Sequence, residues 1–100
     1  MSMALAENSL MESTVVVAAK DHIGCNLGGE EVILNLSSGV YYGLNNVATR
    51  IWELVQKPIT VGEIMGTILD EYAVERSECE ETVFMFLSEL TNHGLLEKSS

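Results

Sequence analysis

Few residues in this sequence could do covalent chemistry. Cys25 and Cys79 are its only thiols, and His22 and His93 are the only imidazoles that could activate them. A nucleophilic cysteine needs a base within hydrogen-bond reach. His22 and Cys25 lie three residues apart, so on a strand their side chains leave from opposite faces. Cys79 falls in an early helical turn, where a free thiol is acidified. It also shares an apolar stripe with Val83 and Phe86, and there a cysteine is a small core residue. No Ser-His-Asp order, Gly-rich phosphate loop or metal-spaced Cys/His cluster occurs. No catalytic residue, metal ligand or cofactor is therefore expected. The two thiols are expected to stay free in a reducing compartment, a disulfide between them being the lesser alternative.

Charge narrows the partners. The 100 residues hold 15 Asp and Glu against 5 Lys and Arg, a formal charge of −10. Such a surface repels phosphate backbones and anionic lipid, so neither nucleic acid nor membrane is an expected partner. No run approaches the roughly 18 apolar residues of a membrane span. The first residues lack a basic start and an unbroken apolar run, which speaks against a signal peptide and for a cytoplasmic protein. An apolar fraction of 47% in 100 residues suits one globular domain. Residues 1–13 read as a flexible tail and 14–97 as the domain.

The elements that must carry any function change period along the chain. Thr14 to Ala18 has strand character, and two hairpin arms, 22–27 and 31–36, surround the turn signal Gly28-Gly29. A three-residue loop with Gly39 left-handed pairs Leu36 with Val40, Leu34 with Tyr42 and Val32 with Leu44. That register gathers one apolar face and turns Ile33, Asn35, Tyr41 and Gly43 away. From Asn45 or Asn46 the period becomes helical, with a stripe of Val47, Ile51, Trp52 and Val55 that Pro58 ends. Thr60 and Glu63 form a capping box opening a second helix, with Ile64, Ile68 and Tyr72 on its apolar face. Ser77 and Glu80 read as another box opening a third helix, and Gly94 stops it. Leu95-Leu96 can add a short closing strand. The expected class is α+β, a small three-stranded antiparallel sheet followed by three helices, winged helix-turn-helix-like. At the start of that third helix, Glu75, Glu78, Glu80 and Glu81 stand where a DNA reader needs cations or amides.

Two features are in excess of what a core needs. The strand Val40 to Leu44 is last in its sheet and has neither Lys nor Pro to block its edge. The third helix carries Val83-Phe84-Met85-Phe86-Leu87, which covers its whole circumference. Cys79, Val83, Phe86, Leu87 and Leu90 suffice for one stripe, leaving Phe84 and Met85 over. Another chain could complete both by adding a strand to the edge, with alternate side chains against the helix.

Several segments resemble the PqqD-like family: Gly29-Glu30-Glu31-Val32-Ile33-Leu34-Asn35-Leu36, then Ser38-Gly39-Val40-Tyr41-Tyr42-Gly43-Leu44-Asn45, then Ala48-Thr49-Arg50-Ile51-Trp52. Thr60-Val61, Glu63-Ile64, Phe86-Leu87, Leu90 and Gly94-Leu95-Leu96 fit the same family, so the likeness spans about residues 20–97. The resemblance implies a small winged-helix-like element that binds the leader segment of a ribosomally made precursor peptide. It would deliver that leader to a leader peptidase or another maturation enzyme. It also implies that the leader adds to the third strand and lies on the third helix. Carried onto this chain, the peptide-binding residues are Val40, Tyr41, Tyr42, Gly43 and Leu44 with Glu80, Val83, Phe84, Phe86, Leu87 and Leu90. Lasso peptide biosynthesis is the favoured pathway, with pyrroloquinoline quinone synthesis as the alternative. Glu80 and Glu81 suggest that basic leader residues are preferred nearby. An open edge also permits a homodimer.

Overall fold

A computed structural model describes residues 10–20, 22–28 and 30–99. Two antiparallel sheets share a core with three helices. In chain order the elements are β1 (Val15–Ala18), β2 (His22–Leu27), β3 (Glu30–Asn35), β4 (Val40–Leu44), α1 (Asn46–Leu54), β5 (Ile59–Thr60), α2 (Val61–Glu71), α3 (Arg76–Asn92) and β6 (Leu96–Lys98). The α+β class holds, with strands in the order β2–β3–β4 in one sheet and β5–β1–β6 in the other.

The second sheet was not expected. β1 pairs Val15 with Thr60 and Ala18 with Leu96, joining pieces of two and three residues that have little strand signal alone. Residues 1–9 of the expected tail lie outside the described residues. Leu10 is buried in the core, the Glu12 carbonyl accepts from the Gly62 N–H at 2.9 Å, and the Thr14 carbonyl accepts from the Val61 N–H at 3.0 Å.

Local signals set most helix ends. Asn45 caps α1 through its Oδ1, which accepts the Ala48 N–H at 2.8 Å. Thr60 and Glu63 form the reciprocal capping box of α2. α3 closes on Gly94 at φ +73, where the Leu95 N–H bonds back to the Leu90 carbonyl and the Gly94 N–H to that of Thr91. Its start differs from the expected Ser77 box. Glu75 is the cap residue, without a side-chain cap bond, and its carbonyl accepts the Cys79 N–H. The earlier start brings Arg76 into the helix, four residues from Glu80, with which it pairs at 3.3 Å. Between α1 and α2, Arg50 grips Glu71 with two bonds of 2.9 and 3.0 Å. That guanidinium holds the Glu71 carboxyl below the usual carboxylate range. The tie is therefore present at neutral pH and is lost only as pH falls through that lowered value.

The β3–β4 register also differs by one residue. Ile33 pairs with Tyr42, Asn35 with Val40 and Glu31 with Leu44, leaving a four-residue loop, 36–39. Asn35 makes that loop: its Oδ1 accepts the N–H groups of Ser37 at 2.9 Å and Ser38 at 3.3 Å, and its carbonyl accepts that of Gly39. Gly39 is left-handed as expected, at φ +73. A one-residue slip turns a strand over. Ile33 and Asn35 consequently face the core, while Val32 and Leu34 share the outer face. Across that outer face Ile23, Leu34 and Tyr41 form a row, with Ile23 50% and Tyr41 64% exposed.

Candidate functional site

The free border of the β2–β3–β4 sheet is β4, and among the described residues no strand pairs along its outer edge. Residues 15–18 do not seal it, being engaged elsewhere as β1 between β5 and β6. Which β4 groups face outward follows from the register. A two-residue hairpin loop closes on a hydrogen-bonded pair, here Leu27 with Glu30. Hydrogen-bonded pairs alternate along an antiparallel ladder. Glu30, Val32 and Leu34 thus aim their backbone groups at β2, and Glu31, Ile33 and Asn35 aim theirs at β4. It follows that Val40, Tyr42 and Leu44 turn theirs toward β3, and those of Tyr41 and Gly43 point to open solvent. The Val40 N–H lies 3.3 Å from the Ser38 hydroxyl, within the connecting loop.

Beside the edge runs a groove between β4, the start of α1 and one flank of α3. Its larger cavity, about 410 Å³, is bounded by Tyr42 and Leu44 on the strand and by Phe86, Leu90 and His93 on the helix. A second cavity of about 220 Å³ continues it between Ile51, Thr82 and Met85. The two share Asn45, Ala48, Phe86 and Glu89. Three local devices hold the walls in place. The Asn45 cap turns the chain into α1 directly after β4. The Asn35 side-chain amide donates to the His93 carbonyl, tying the hairpin to the end of α3. The rings of Tyr42 and His93 meet with centroids 4.9 Å apart.

The expected site residues divide. Tyr41, Tyr42, Gly43, Leu44, Phe86 and Leu90 line the larger cavity, and Val40 lies exposed at the start of the same strand. Val83 and Leu87 are wholly buried in the core and line neither cavity. Phe84 is half-buried against the core and lines neither cavity, and Glu80 is paired with Arg76. Thr82, Met85, Glu89 and His93 on α3, with Asn45 and Ala48, also line the cavities and are not among the residues expected from the sequence. On α3 the available signal was helical spacing. Thr82, Phe86, Glu89 and His93 follow one another by four, three and four residues, a stripe beside the core stripe. Met85, 63% exposed, is the surplus apolar residue that does face this groove.

Neither cysteine lines the groove. Both cysteines are free. The Cys79 thiol is 2% exposed and 3.7 Å from the Met65 carbonyl. Burial, with the nearby Glu80 charge, pushes its pKa up, the opposite of an activated thiol. Under native conditions at pH 8, a disulfide-forming thiol reagent should modify Cys25 readily and Cys79 only on unfolding. Two rapidly reacting thiols would contradict this placement.

Comparison with known proteins agrees with this architecture. Residues 30–96 match the family described as coenzyme PQQ synthesis protein D (PqqD). The chain belongs to that family. Among solved structures it is similar to TbiB1 in complex with the TbiA(beta) leader peptide, with 34% identity over 81% of this chain and 94% of that one and a TM-score of 0.72. Lasso peptide synthetase B1 complexed with its leader peptide shares the fold at 21% identity and TM-score 0.72, over 82% of this chain and 96% of that one. The PqqD truncation of Methylobacterium extorquens PqqCD, described as a stand-alone recognition element for ribosomally synthesised, post-translationally modified peptides, does so at 18% identity and TM-score 0.72, over 90% and 96%. Among curated proteins nothing matches.

Proposed function

We propose that this chain is a non-catalytic adaptor that captures the leader of a ribosomally made precursor peptide as an added strand on β4. The observation that carries the reading is the open edge of Tyr41 and Gly43 beside an apolar groove. Backbone bonds to the edge supply affinity, and alternate leader side chains enter the two cavities, which supply selectivity. Membership of the PqqD family and the 34% identity to a leader-bound protein support it.

Lasso peptide assembly is the pathway we favour over pyrroloquinoline quinone synthesis. The wording of residues 37–45 and 50–55 and the leader-bound relatives support that choice. The captured leader is handed to a leader peptidase or other maturation enzyme, for which the exposed row of Ile23, Leu34 and Tyr41 offers an apolar surface next to the docking edge. Among the described residues no helix is long and apolar enough to cross a membrane, and a cytoplasmic location accords with the reading. The fold can be described as winged helix-turn-helix-like, with α2 and α3 as the helix pair. DNA binding is nevertheless disfavoured, since the first turns of α3 carry Glu78, Glu80 and Glu81.

Amide hydrogen exchange tests the docking edge. The probes are the TbiA(beta) leader and the leader of any short precursor gene neighbouring this chain's own gene. A bound leader should protect the Tyr41 and Gly43 amides and leave those of Tyr42 and Leu44, already turned to β3, nearly unchanged. A leader that binds without protecting Tyr41 and Gly43 would refute strand addition. Protection of that pair by the chain alone, rising with concentration, would show a homodimer on the same edge instead.

A further inference from the structure

We propose that Glu89 makes this groove select a segment carrying a Lys or Arg side chain; the inference rests on the strand-addition reading above. Glu89 is exposed on α3 and borders both cavities. Its backbone carbonyl accepts the His93 N–H at 3.1 Å, whereas its carboxylate has no hydrogen bond or ion pair among the described residues. The lining of the two cavities includes no Lys or Arg. Arg50 and Arg76 are committed to Glu71 and Glu80. The other titratable side chains on the groove are His93, Tyr41 and Tyr42, and the His93 ring lies against that of Tyr42.

The physical consequence is a selection rule. A segment laid over the groove takes water away from the Glu89 carboxylate, and removing water from an unpaired charge is costly. A neutral side chain leaves that cost standing, and an acidic one adds repulsion in a chain whose formal charge is −10. A cation offsets it. The walls suit the long stems of Lys and Arg, which can lie along Met85 and Phe86 with the charged head at Glu89. Because alternate residues of an added strand face the helix, the cation must stand an even number of residues from the apolar anchors. The charge preference expected near Glu80 and Glu81 thus belongs between two and three turns further along α3, since Glu80 is already paired with Arg76.

The test is a displayed library of random twelve-residue peptides selected on the full chain in four forms: wild type, Glu89→Gln, Glu89→Lys and Gly43→Pro. Wild type should enrich alternating apolar residues plus Lys or Arg at one position of the same parity. Synthetic peptides with Lys there should bind about two- to fivefold tighter than their Gln counterparts, the range of a partly exposed ion pair, with the gap closing in high salt. Glu89→Gln should erase that preference without changing the apolar pattern, and Glu89→Lys should convert it to Asp or Glu. If the apolar pattern appears and depends on Gly43 while charge is indifferent in all three Glu89 forms, the Glu89 assignment is wrong and strand addition survives. If no pattern emerges, or Gly43→Pro leaves it untouched, the docking reading falls and takes this inference with it.

Discussion

Replacing Gly43 by proline is expected to cut leader affinity about 10- to 100-fold while the protein stays folded. By the register parity, the Gly43 N–H points away from β3 into solvent, so proline removes no ladder bond. A Cβ at Gly43 would meet nothing within 4 Å, which leaves room for the added ring atoms. What proline removes is a donor to the incoming strand, and its ring carbons stand where a ligand carbonyl would approach. A carbonyl left unpaired in a forming sheet costs about 1–3 kcal/mol, which gives the stated range. Gly43→Ala is the control: it keeps the N–H and should bind within about twofold of wild type, on the same steric grounds. Tyr42→Pro should act differently, because the Tyr42 N–H faces Ile33. It should lower stability by breaking the β3–β4 ladder. Titration of a labelled leader together with thermal melting separates the three. A folded Gly43→Pro protein that binds like wild type would end the strand-addition proposal.

The second large effect is on stability, at Asn35. This side chain is 5% exposed and makes three hydrogen bonds: two accepted from Ser37 and Ser38, one donated to the His93 carbonyl. Asn35→Ala leaves the half-buried carbonyl without a protein donor and the loop without its acceptor. The expected loss is about 2 kcal/mol, or a fall in Tm of about 8–16 °C for a domain of this size. Asn35→Asp separates the contributions, since it keeps the acceptor but turns a carboxylate toward the His93 carbonyl. It should therefore do no better than alanine. Both variants should also weaken leader binding, because the Asn35–His93 bond joins the strand wall of the groove to its helix wall. A melting point within about 2 °C of wild type for Asn35→Ala would show that this bond holds little, given the usual sensitivity of small domains.

Asn35 also explains why the register differs from the one periodicity favours. Periodicity alone favoured a register that collected Val32, Leu34 and Leu36 on one face with Val40, Tyr42 and Leu44. That choice is right for β4 and inverted for β3. The decisive group is an amide whose partner lies 58 residues away, at the end of α3. No local pattern marks such a residue as buried, and polar residues are expected outside. The β1 pairings have no local signature for the same reason, since Ile59–Thr60 and Leu96–Lys98 become strands only when β1 lies between them.

What could be read from the chain alone was whatever depends on neighbouring residues or on total charge. The Thr60–Glu63 box, the Asn45 cap, the left-handed Gly39 and the Gly94 stop are contacts within a few residues, so their chemistry is written in order along the chain. The unblocked composition of Val40–Leu44 and the acidic balance that disfavours nucleic acid belong to the same kind. Packing alone decided how far α3 is rotated against its neighbours. At about 100° per residue, consecutive side chains on that helix point to different worlds. Val83 and Leu87 therefore went into the core, while Thr82, Met85, Phe86 and Glu89 were turned to the groove.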